Sequence, residues 1–323
     1  MLEDNLWRDN EIIMKLRDRG LAVFVIILWG INFTVIKFGI NEMSPMLLVT
    51  LRYIFATLPA IFFVKRPDTN WKYIVAYGLA VGVGQFSCLF YAEYIGMPAG
   101  VASVVLQAQA FFTILLAGVL FKERIGAGQI AGLIVACMGL ILISGSIGAQ
   151  GGTVIPGKAF LLTIIAALFW GISNIIIRYA SKEAEEQGKN LNMFNMVIWS
   201  SSVPPIPMMM AALIIDKPVQ VWYQLSHINV LALFSILYLA FFATLIGYGL
   251  WSTLLAKYPA SKIAPLSLLV PVVGLTTAQK LLGEKLTTIQ WIGGLIIVFG
   301  LLISNFSNLL RNTCFKNFGK SKI

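Results

Sequence analysis

The chain contains one long stretch twice, and this repeat limits the folds that are open to it. Residues 77–139 align with residues 238–300 without a gap when the first stretch is shifted by 161 positions. The shift pairs Tyr77 with Tyr238, Pro98-Ala99 with Pro259-Ala260, Glu123 with Glu284, Gln129 with Gln290, Gly132 with Gly293 and Gly139 with Gly300. Because the register is kept throughout, we interpret the two stretches as copies of one structural unit.

Composition indicates what surrounds this unit. Apolar residues make up 58% of the 323 residues and charged residues only 12%, whereas soluble domains carry about a quarter charged residues. Such a chain cannot cover itself with polar surface, so we expect it to lie in a lipid bilayer. Its net charge of +10 does not indicate nucleic-acid binding, because the basic residues lie in short loops and form no basic face with aromatic residues.

Ten apolar segments are long enough to cross a membrane. About 20 residues, at 1.5 Å each, cross a hydrocarbon core of about 30 Å. The segments are approximately 20–39, 46–64, 73–94, 98–121, 127–145, 157–179, 192–214, 230–255, 262–282 and 288–309. The sequence therefore predicts an all-α polytopic membrane protein with ten transmembrane helices.

The basic residues of the loops favour one orientation. If the N-terminus is cytoplasmic, most lysines and arginines outside the spans fall on the cytoplasmic side, as membrane insertion favours. We therefore expect both termini in the cytoplasm. Residues 1–19 then form a charged cytoplasmic N-terminal segment, and residues 310–323 form a basic cytoplasmic tail.

Each copy of the repeat carries five segments, and an odd number inserts the second copy upside down. We predict two inverted five-helix repeats, residues 20–145 and residues 156–309. The motif WGIN (29–32) in the first segment corresponds to WGISN (170–174) in the sixth. Transporters built from inverted repeats bind their substrate near the membrane midplane, between the two halves.

Several stretches resemble a known family. They are GMPAGVASVVLQAQAFFTI (96–114), YLAFFATLIGYGLWSTLL (238–255) and APLSLLVPVVGL (264–275). Together with the ten-span layout, they resemble the EamA-type exporters of the drug/metabolite transporter superfamily, over about residues 20 to 305. The resemblance implies export of small amino acids or amino-acid metabolites, similar to cysteine and O-acetylserine, through the bacterial inner membrane.

Polar and aromatic side chains in the middle of the spans are the candidate substrate-binding residues, because polar groups in lipid normally face protein or a water-filled cavity. The alternative is that they only hold neighbouring helices together. The predicted site residues are Trp29, Asn32, Gln85, Gln107, Trp170, Ser173, Asn174, Tyr248 and Ser267.

Gln107 and Gln109 cannot both face one ligand on a regular helix, because residues two apart point about 200° apart. We expect Gln107 to line the substrate path and Gln109 to bond a neighbour, unless the helix is distorted.

In the ninth segment, Pro271 removes a backbone hydrogen bond. It either frees a carbonyl for an ammonium group or merely kinks the helix.

Four charged residues within the spans are candidates for gates or a charge pair. Lys37 and Arg178 either flank the two gates or extend to the nearest interface. Arg52 lies about 10 Å below the outer surface by helical rise, and Glu93 is the nearest carboxylate, so we expect these two to pair. If Glu93 is unpaired, it becomes the candidate proton carrier.

The remaining acids have structural interpretations. Glu123 and Glu284 lie at equivalent span ends, where we expect each to stabilise the start of the helix that follows it. No Ser/His/Asp set, phosphate loop or metal cluster is apparent, so we expect no catalytic residues, no metal and no cofactor. The chain is therefore expected not to be an enzyme.

Glycines in the fifth and tenth segments allow close helix contacts. These segments are otherwise almost wholly apolar, so we expect them to brace the bundle or to form a homodimer face rather than to line the path.

The leading functional hypothesis is a secondary transporter that exports a small amino-acid-like substrate by alternating access. Two alternatives carry a different cargo: an exporter of other metabolites or drugs, and a carrier of the nucleotide-sugar type. A drug-cation carrier should have an acid at mid-membrane, and a nucleotide-sugar carrier should have lysine or arginine deep in its cavity. The third alternative is a membrane enzyme or a scaffold. An enzyme should have titratable residues that converge at one depth, and a scaffold should have no set of polar residues at the membrane midplane.

Overall fold

The protein is helical throughout the part of the chain that the computed structural model describes. That part comprises residues 14–123, 125–145, 155–258 and 263–318, and it contains no β-strand. Most of the charged N-terminal segment, the connection between the fifth and sixth segments at residues 146–154, and Pro259 and Ala260 of the repeat lie outside the described residues.

Each of the ten predicted segments is helical where the structure describes it. The helices are α1 (Leu16–Glu42), α2 (Pro45–Ile61), α3 (Trp71–Tyr94), α4 (Ala99–Leu120), α5 (Ala127–Gly145), α6 (Gly157–Glu186), α7 (Met193–Ile215), α8 (Val230–Lys257), α9 (Ala264–Leu269 followed by Val270–Leu281) and α10 (Thr288–Phe318). Seven of them are long and apolar enough to cross a membrane, and Pro45–Ile61, Leu266–Leu281 and Thr288–Ser304 are shorter apolar helices. The chain is a multi-pass membrane protein.

Three boundaries differ from the predicted ones. Helix α1 begins at Leu16, inside the segment that we expected to precede the membrane, because Asp18 is buried and accepts hydrogen bonds from Tyr258 and Lys257 of the α8 end. Helix α10 continues to Phe318 rather than ending near 309. A short helix, Pro218–Ser226, replaces a predicted loop, since proline suits a first helical turn and Val221 is buried.

The backbone leaves regular α geometry within five helices. Helix α7 is interrupted by a turn at residues 201–204, and the other four departures correspond between the two copies of the repeat. Helix α3 is π-helical at Leu79–Phe86 and α8 at Tyr238–Ile246. Helix α4 has a 3₁₀ turn at Leu106–Ala108 and α9 has one at Ala264–Leu269. The shift of 161 carries 79–86 onto 240–247 and 106–108 onto 267–269. The repeated sequence therefore produces the same local distortions twice.

Helix α1 lies at the centre of the bundle and packs against α4, α8 and α9. Gly30 allows this approach, because a methyl group at that position would overlap Val273 of α9. Buried polar residues of α1, among them Asn32 and Thr34, therefore lie inside the protein rather than in lipid.

Helices α5 and α10 pack against each other through their glycines. A methyl group on Gly139 would lie 2.6 Å from the Gly293 carbonyl oxygen, and one on Gly300 would lie 2.6 Å from the Ala136 backbone nitrogen. The glycine faces are thus occupied within one chain. A homodimer through α5 and α10 stays a prediction, and it would have to use their outer apolar faces, which include exposed Ile134 and Leu295.

The close packing of α5 on α10 predicts the effect of adding one methyl group. A Cβ atom at position 132 would overlap the Gly300 carbonyl oxygen and lie 2.6 Å from the Ser304 nitrogen, both backbone atoms of α10. We expect Gly132→Ala to destabilise the protein by about 1–3 kcal/mol, as overpacked interiors do. The measurement is thermal unfolding of the purified protein in detergent.

Gly20→Ala is the matched control. A methyl group at Gly20 in helix α1 would meet nothing within 4 Å, so the higher helix propensity of alanine should leave stability unchanged or raise it by up to about 1 kcal/mol. Equal shifts for the two variants would contradict the packing of α5 on α10.

Candidate transport cavity

A cavity of about 410 Å³ lies inside the bundle, and eight of the ten helices contribute to its wall. Helices α5 and α10 provide none of its lining residues. The wall consists of Trp29, Asn32, Phe33, Arg52, Tyr77, Gln85, Phe86, Leu89, Leu106, Gln107, Gln109, Trp170, Asn174, Ile177, Met193, Ala243, Tyr248, Trp251, Ser252, Leu255, Ser267 and Val270. Both copies of the repeat therefore line one space.

All the predicted substrate-binding residues except Ser173 lie in this wall. Ser173 is buried, and its hydroxyl donates to the Trp170 carbonyl oxygen at 2.7 Å. Its neighbour Asn174 lies in the wall, and consecutive residues on a helix point about 100° apart. Ser173 therefore does not reach the cavity wall in this structure.

The two π-helical segments and the two 3₁₀ segments all reach the cavity. Gln85 and Phe86 end the π-helical segment of α3, and Ala243 lies in that of α8. Gln107 and Ser267 lie in the 3₁₀ segments of α4 and α9. Distortions of this kind are frequent at functional sites. Here they widen or retwist the helices where polar side chains turn inward.

Gln107 and Gln109 both line the cavity, which a regular helix would not allow. The 3₁₀ turn at Leu106–Ala108 supplies the distortion that brings them to one side. The Gln109 side chain also accepts a hydrogen bond from Asn174 Nδ2 at 2.9 Å, and Asn174 lies 3.0 Å from the Thr113 hydroxyl. Asn174 thus connects α6 to α4 at the cavity wall.

The cavity has an enclosed end and a more exposed end. Asn32, Gln85 and Gln107 at the enclosed end are buried. Met193 and Leu255 are partly exposed, and they lie near the start of α7 and the end of α8. The cavity therefore extends from the middle of the bundle towards the end at which α1 begins.

Aromatic rings form one wall. The Trp29 ring lies 5.2 Å from that of Tyr248 and 5.2 Å from that of Trp251, and its Nε1 donates to the Ala243 carbonyl oxygen at 3.0 Å. The sequence analysis did not include Trp251 or Ser252. They lie three and four residues after Tyr248, on the same helical face, so the spacing could have identified them.

The expected ion pair between Arg52 and Glu93 does not form. Arg52 instead donates from Nη2 to the Thr244 hydroxyl at 3.2 Å, and its guanidinium carbon lies 3.9 Å from the centre of the Phe86 ring. Glu93 is fully buried, and its two carboxylate oxygens have no hydrogen-bond partner among the described residues. The two side chains therefore do not meet, which the spacing along two separate helices could not reveal.

Comparison with known proteins gives the family of this chain. The model of the EamA-like transporter family matches residues 20–145 and 157–306. The chain belongs to the EamA-like transporter family. Family membership indicates a transporter rather than an enzyme.

Relatives of this EamA-like chain include two proteins named as probable amino-acid metabolite efflux pumps. The one from Salmonella typhimurium is 42% identical over 93% of this chain and 98% of its own length. The one from Escherichia coli is 43% identical over 91% of this chain and 96% of its own length. A probable terminal-alkyne amino-acid exporter from Streptantibioticus cattleyicolor is 24% identical, covering 90% of this chain and 93% of its own length.

A solved crystal structure has a similar fold. It matches with a TM-score of 0.61 and covers 93% of this chain and 99% of its own. At 15% sequence identity, the likeness concerns the fold alone.

In this EamA-like transporter, α1, α4 and α9 contact one another directly on the side of the cavity away from its exposed end. Glu284, just after α9, accepts hydrogen bonds from the backbone nitrogens of Ala99 at 2.7 Å and Gly100 at 3.1 Å. Thr34 of α1 donates to Thr277 of α9 at 3.2 Å. Glu284 therefore stabilises the start of α4 and not, as expected, the start of the helix that follows it.

The environment of Glu284 has opposing effects on its ionisation. Burial raises the pKa of Glu284, while the N–H groups of Gly100 and Ala99 lower it, and the net pKa is raised. The backbone hydrogen bonds thus compensate only part of the cost of enclosing this carboxylate.

Lys37 and Arg178 have separate partners at opposite ends of the bundle. The Lys37 ammonium donates to the Glu93 carbonyl oxygen at 2.6 Å. Arg178 forms a two-pronged ion pair with Glu123, the repeat equivalent of Glu284, and this pair is half exposed. The Arg178 hydrogen bond holds the pKa of Glu123 below its usual value. Glu123 therefore pairs across α4 and α6 and does not act mainly as the expected cap of α5.

The two hydrogen bonds of Glu284 predict that the protein loses stability when this side chain is truncated. Glu284→Ala leaves the nitrogens of Ala99 and Gly100 without this acceptor, and an unsatisfied buried donor costs about 1–3 kcal/mol. We expect a loss of that size in thermal unfolding of the purified protein. Glu284→Gln, whose amide oxygen can still accept, should lose less.

Glu186→Ala controls for the removal of a glutamate from a helix end. Glu186 is exposed at the end of α6, so this variant should change stability by no more than about 0.5 kcal/mol. A loss for Glu186→Ala as large as that for Glu284→Ala would contradict the assignment of Glu284 as the cap of α4.

Proposed function

We propose that this chain is a secondary transporter that exports small amino acids or amino-acid metabolites from the cytoplasm through the bacterial inner membrane. The observation that carries the proposal is the central cavity, whose wall contains Trp29 and Asn32 from one copy of the repeat and Trp170 and Asn174 from the other. Its volume of about 410 Å³ falls in the range of small-molecule sites, about 300–1,000 Å³. The printed names of the similar efflux pumps support an amino-acid-related cargo.

We further propose that the two copies are inverted five-helix repeats with both termini in the cytoplasm. The family model matches the chain in two separate ranges, 20–145 and 157–306, and the π-helical and 3₁₀ segments recur at one constant shift. Five spans in each half would reverse the orientation of the second copy. The distribution of basic residues favours cytoplasmic termini.

The unequal contacts at the two ends of the cavity support alternating access as the proposed mechanism. In the proposed orientation, the exposed end faces the cytoplasm and admits the substrate. The opposite end is held by the bonds of Glu284 to α4 and by the contact of Thr34 with Thr277. Export then requires these contacts to open while the aromatic wall around Trp29 and Trp251 closes behind the substrate.

The charges of the cavity favour an amino-acid cargo over the alternatives. Arg52 is the only charged side chain among the described residues of the wall. A carrier of drug cations should have an acid there. Arg52 supplies a basic group deep in the cavity, as a nucleotide-sugar carrier should have, but a single cation cannot balance the several negative charges of a nucleotide sugar's phosphates. One buried cation can instead pair with the single carboxylate of an amino acid, whose ammonium group keeps the substrate as a whole close to neutral.

Transport into inside-out membrane vesicles tests the proposed function. Vesicles that contain the protein should accumulate radiolabelled cysteine or O-acetylserine above vesicles that lack it, because their cytoplasmic face is outward. Asn174→Ala removes an amide from the cavity wall and should lower the initial rate at low substrate concentration about tenfold, the equivalent of one hydrogen bond of about 1.4 kcal/mol.

Ser173→Ala is the matched control for Asn174→Ala, since Ser173 is its neighbour and lies outside the cavity wall. It should transport at close to the normal rate. If cysteine, O-acetylserine, threonine and aromatic amino acids all fail to accumulate, the proposed substrate class is wrong.

We also propose that Glu93 couples export to proton entry. Its carboxyl group is enclosed without a hydrogen-bond partner among the described residues, a setting in which charge is costly. Carboxyl groups buried at membrane depth are typical of proton relays. The Lys37 ammonium binds the backbone carbonyl oxygen of the same residue, and the charges of Lys37 and Glu284 both act on the Glu93 carboxyl group, with opposite signs.

An imposed pH gradient tests the role of Glu93. In inside-out vesicles with an acidic lumen, proton exit should drive substrate uptake. We expect Glu93→Gln to abolish this stimulation while it retains exchange of labelled for unlabelled substrate, because exchange needs no net proton movement. Glu123→Gln, at a half-exposed ion pair, should keep the stimulation. Normal stimulation in Glu93→Gln would exclude Glu93 as the coupling residue.

A further inference from the structure

Arg52 is a buried cation whose donors are only partly used. The side chain is 2% exposed, and Nη2 donates to the Thr244 hydroxyl of α8 at 3.2 Å. The Nε and Nη1 atoms are enclosed and have no hydrogen-bond partner among the described residues. A buried charged group that leaves donors unsatisfied is costly, so this arrangement calls for a ligand.

The surroundings of Arg52 contain rings but no counter-ion. Its guanidinium carbon lies 3.9 Å from the centre of the Phe86 ring, 5.6 Å from that of Tyr53 and 5.9 Å from that of Phe90. No carboxylate of the described residues forms an ion pair with it. Ring faces attract a cation, but they cannot replace acceptors for the N–H groups of Nε and Nη1 at its edge.

Two acceptors in the same cavity wall are equally unused. Asn32 Oδ1 of α1 and Gln85 Oε1 of α3 are enclosed without a hydrogen-bond partner within the described ranges. Both residues line the cavity together with Arg52. The enclosed end of the cavity therefore offers unsatisfied cationic donors and unsatisfied neutral oxygens.

We infer that Arg52 binds the carboxylate of a zwitterionic α-amino acid, and that the side-chain oxygens of Asn32 and Gln85 bind its ammonium group. A guanidinium can hold a carboxylate with two parallel hydrogen bonds. Nη2 uses one of its two N–H groups for Thr244, and its other N–H group lies parallel to an N–H group of Nε or of Nη1, so one such pair of donors is free. An ammonium group has three donors and no acceptor, which suits amide oxygens. This inference rests on the proposed function and deepens it.

The position of Arg52 also connects substrate binding to the irregular helices. Thr244 lies in the π-helical segment of α8, and Phe86 ends that of α3. A carboxylate that draws the guanidinium towards the cavity would change its contacts with both segments. Bound substrate could in this way be sensed by one helix from each copy of the repeat.

If Arg52 had only a structural role, it would hold α2, α3 and α8 together, and its replacement would lower the affinity for every ligand by a similar factor. The test therefore compares ligands that differ by one charged group: L-cysteine, cysteamine without the carboxylate, and 3-mercaptopropionate without the ammonium. Their dissociation constants are measured by calorimetry on the purified full chain under reducing conditions.

We expect the wild-type protein to bind cysteine about 10- to 100-fold more tightly than cysteamine, as charge-assisted hydrogen bonds allow. Arg52→Gln should bind the two within about twofold of each other. Arg52→Lys keeps the charge without the planar fork, so it should retain part of the preference. Arg178→Gln, outside the cavity wall, should retain all of it.

The ammonium side has its own readout. Asn32→Ala should lower the affinity for cysteine and for cysteamine about tenfold and leave the affinity for 3-mercaptopropionate unchanged. If Asn32 only supported the helix packing, all three ligands would weaken together, and its assignment would be wrong.

The outcomes separate this inference from the proposed function. A wild-type preference for cysteine that Arg52→Gln retains would overturn the role of Arg52 alone. Equal wild-type affinity for cysteine and cysteamine would also overturn it, and that result does not depend on whether any variant folds. A wild-type protein that binds none of the three ligands would contradict the proposed substrate class, and the inference would fall with it.

Discussion

The need to satisfy every backbone hydrogen-bonding group inside a membrane is the constraint on which this structure depends. A regular helix meets it without help, but π-helical and 3₁₀ segments leave groups that other partners must bind. The indole of Trp29 binds the carbonyl oxygen of Ala243, and the Thr244 hydroxyl binds that of Leu239 at 2.8 Å. Side chains thus stabilise the distorted segment of α8, and these distortions in turn give the cavity its polar wall.

The same side chains have two tasks in this arrangement. Trp29 supports the α8 backbone and forms the aromatic wall, while Thr244 supports α8 and holds Arg52. Asn174 and Gln109 bond to each other across α6 and α4 and face the same cavity. Polar groups that are costly in lipid are therefore concentrated at one place, where they can bind a polar cargo. Helices α5 and α10, which pack through glycines, stay outside this place.

Two equivalent residues show how a repeated sequence can form an asymmetric structure. Glu284 binds the start of α4, whereas its counterpart Glu123 binds Arg178 of α6. Glu284 is largely enclosed, and burial raises its pKa. Glu123 is half exposed, and its hydrogen bond with Arg178 lowers its pKa. A carrier that opens at one end at a time requires such a difference between two otherwise similar halves. In the alternating access that we propose, the opposite state would interchange the two environments.

The sequence by itself determined the helices, the repeat, the family and most of the polar residues of the cavity wall. Apolar length fixes the spans, and polar residues such as Asn32 and Asn174 in mid-span have nowhere favourable to lie except inside the bundle. Only the tertiary structure decided which polar groups meet. It separated Arg52 from Glu93, directed Ser173 to its own helix and placed Trp251 beside Trp29. These outcomes depend on helix rotation and on local π and 3₁₀ distortion, and a shift of about 100° per residue reverses whether a side chain faces the cavity or its neighbour.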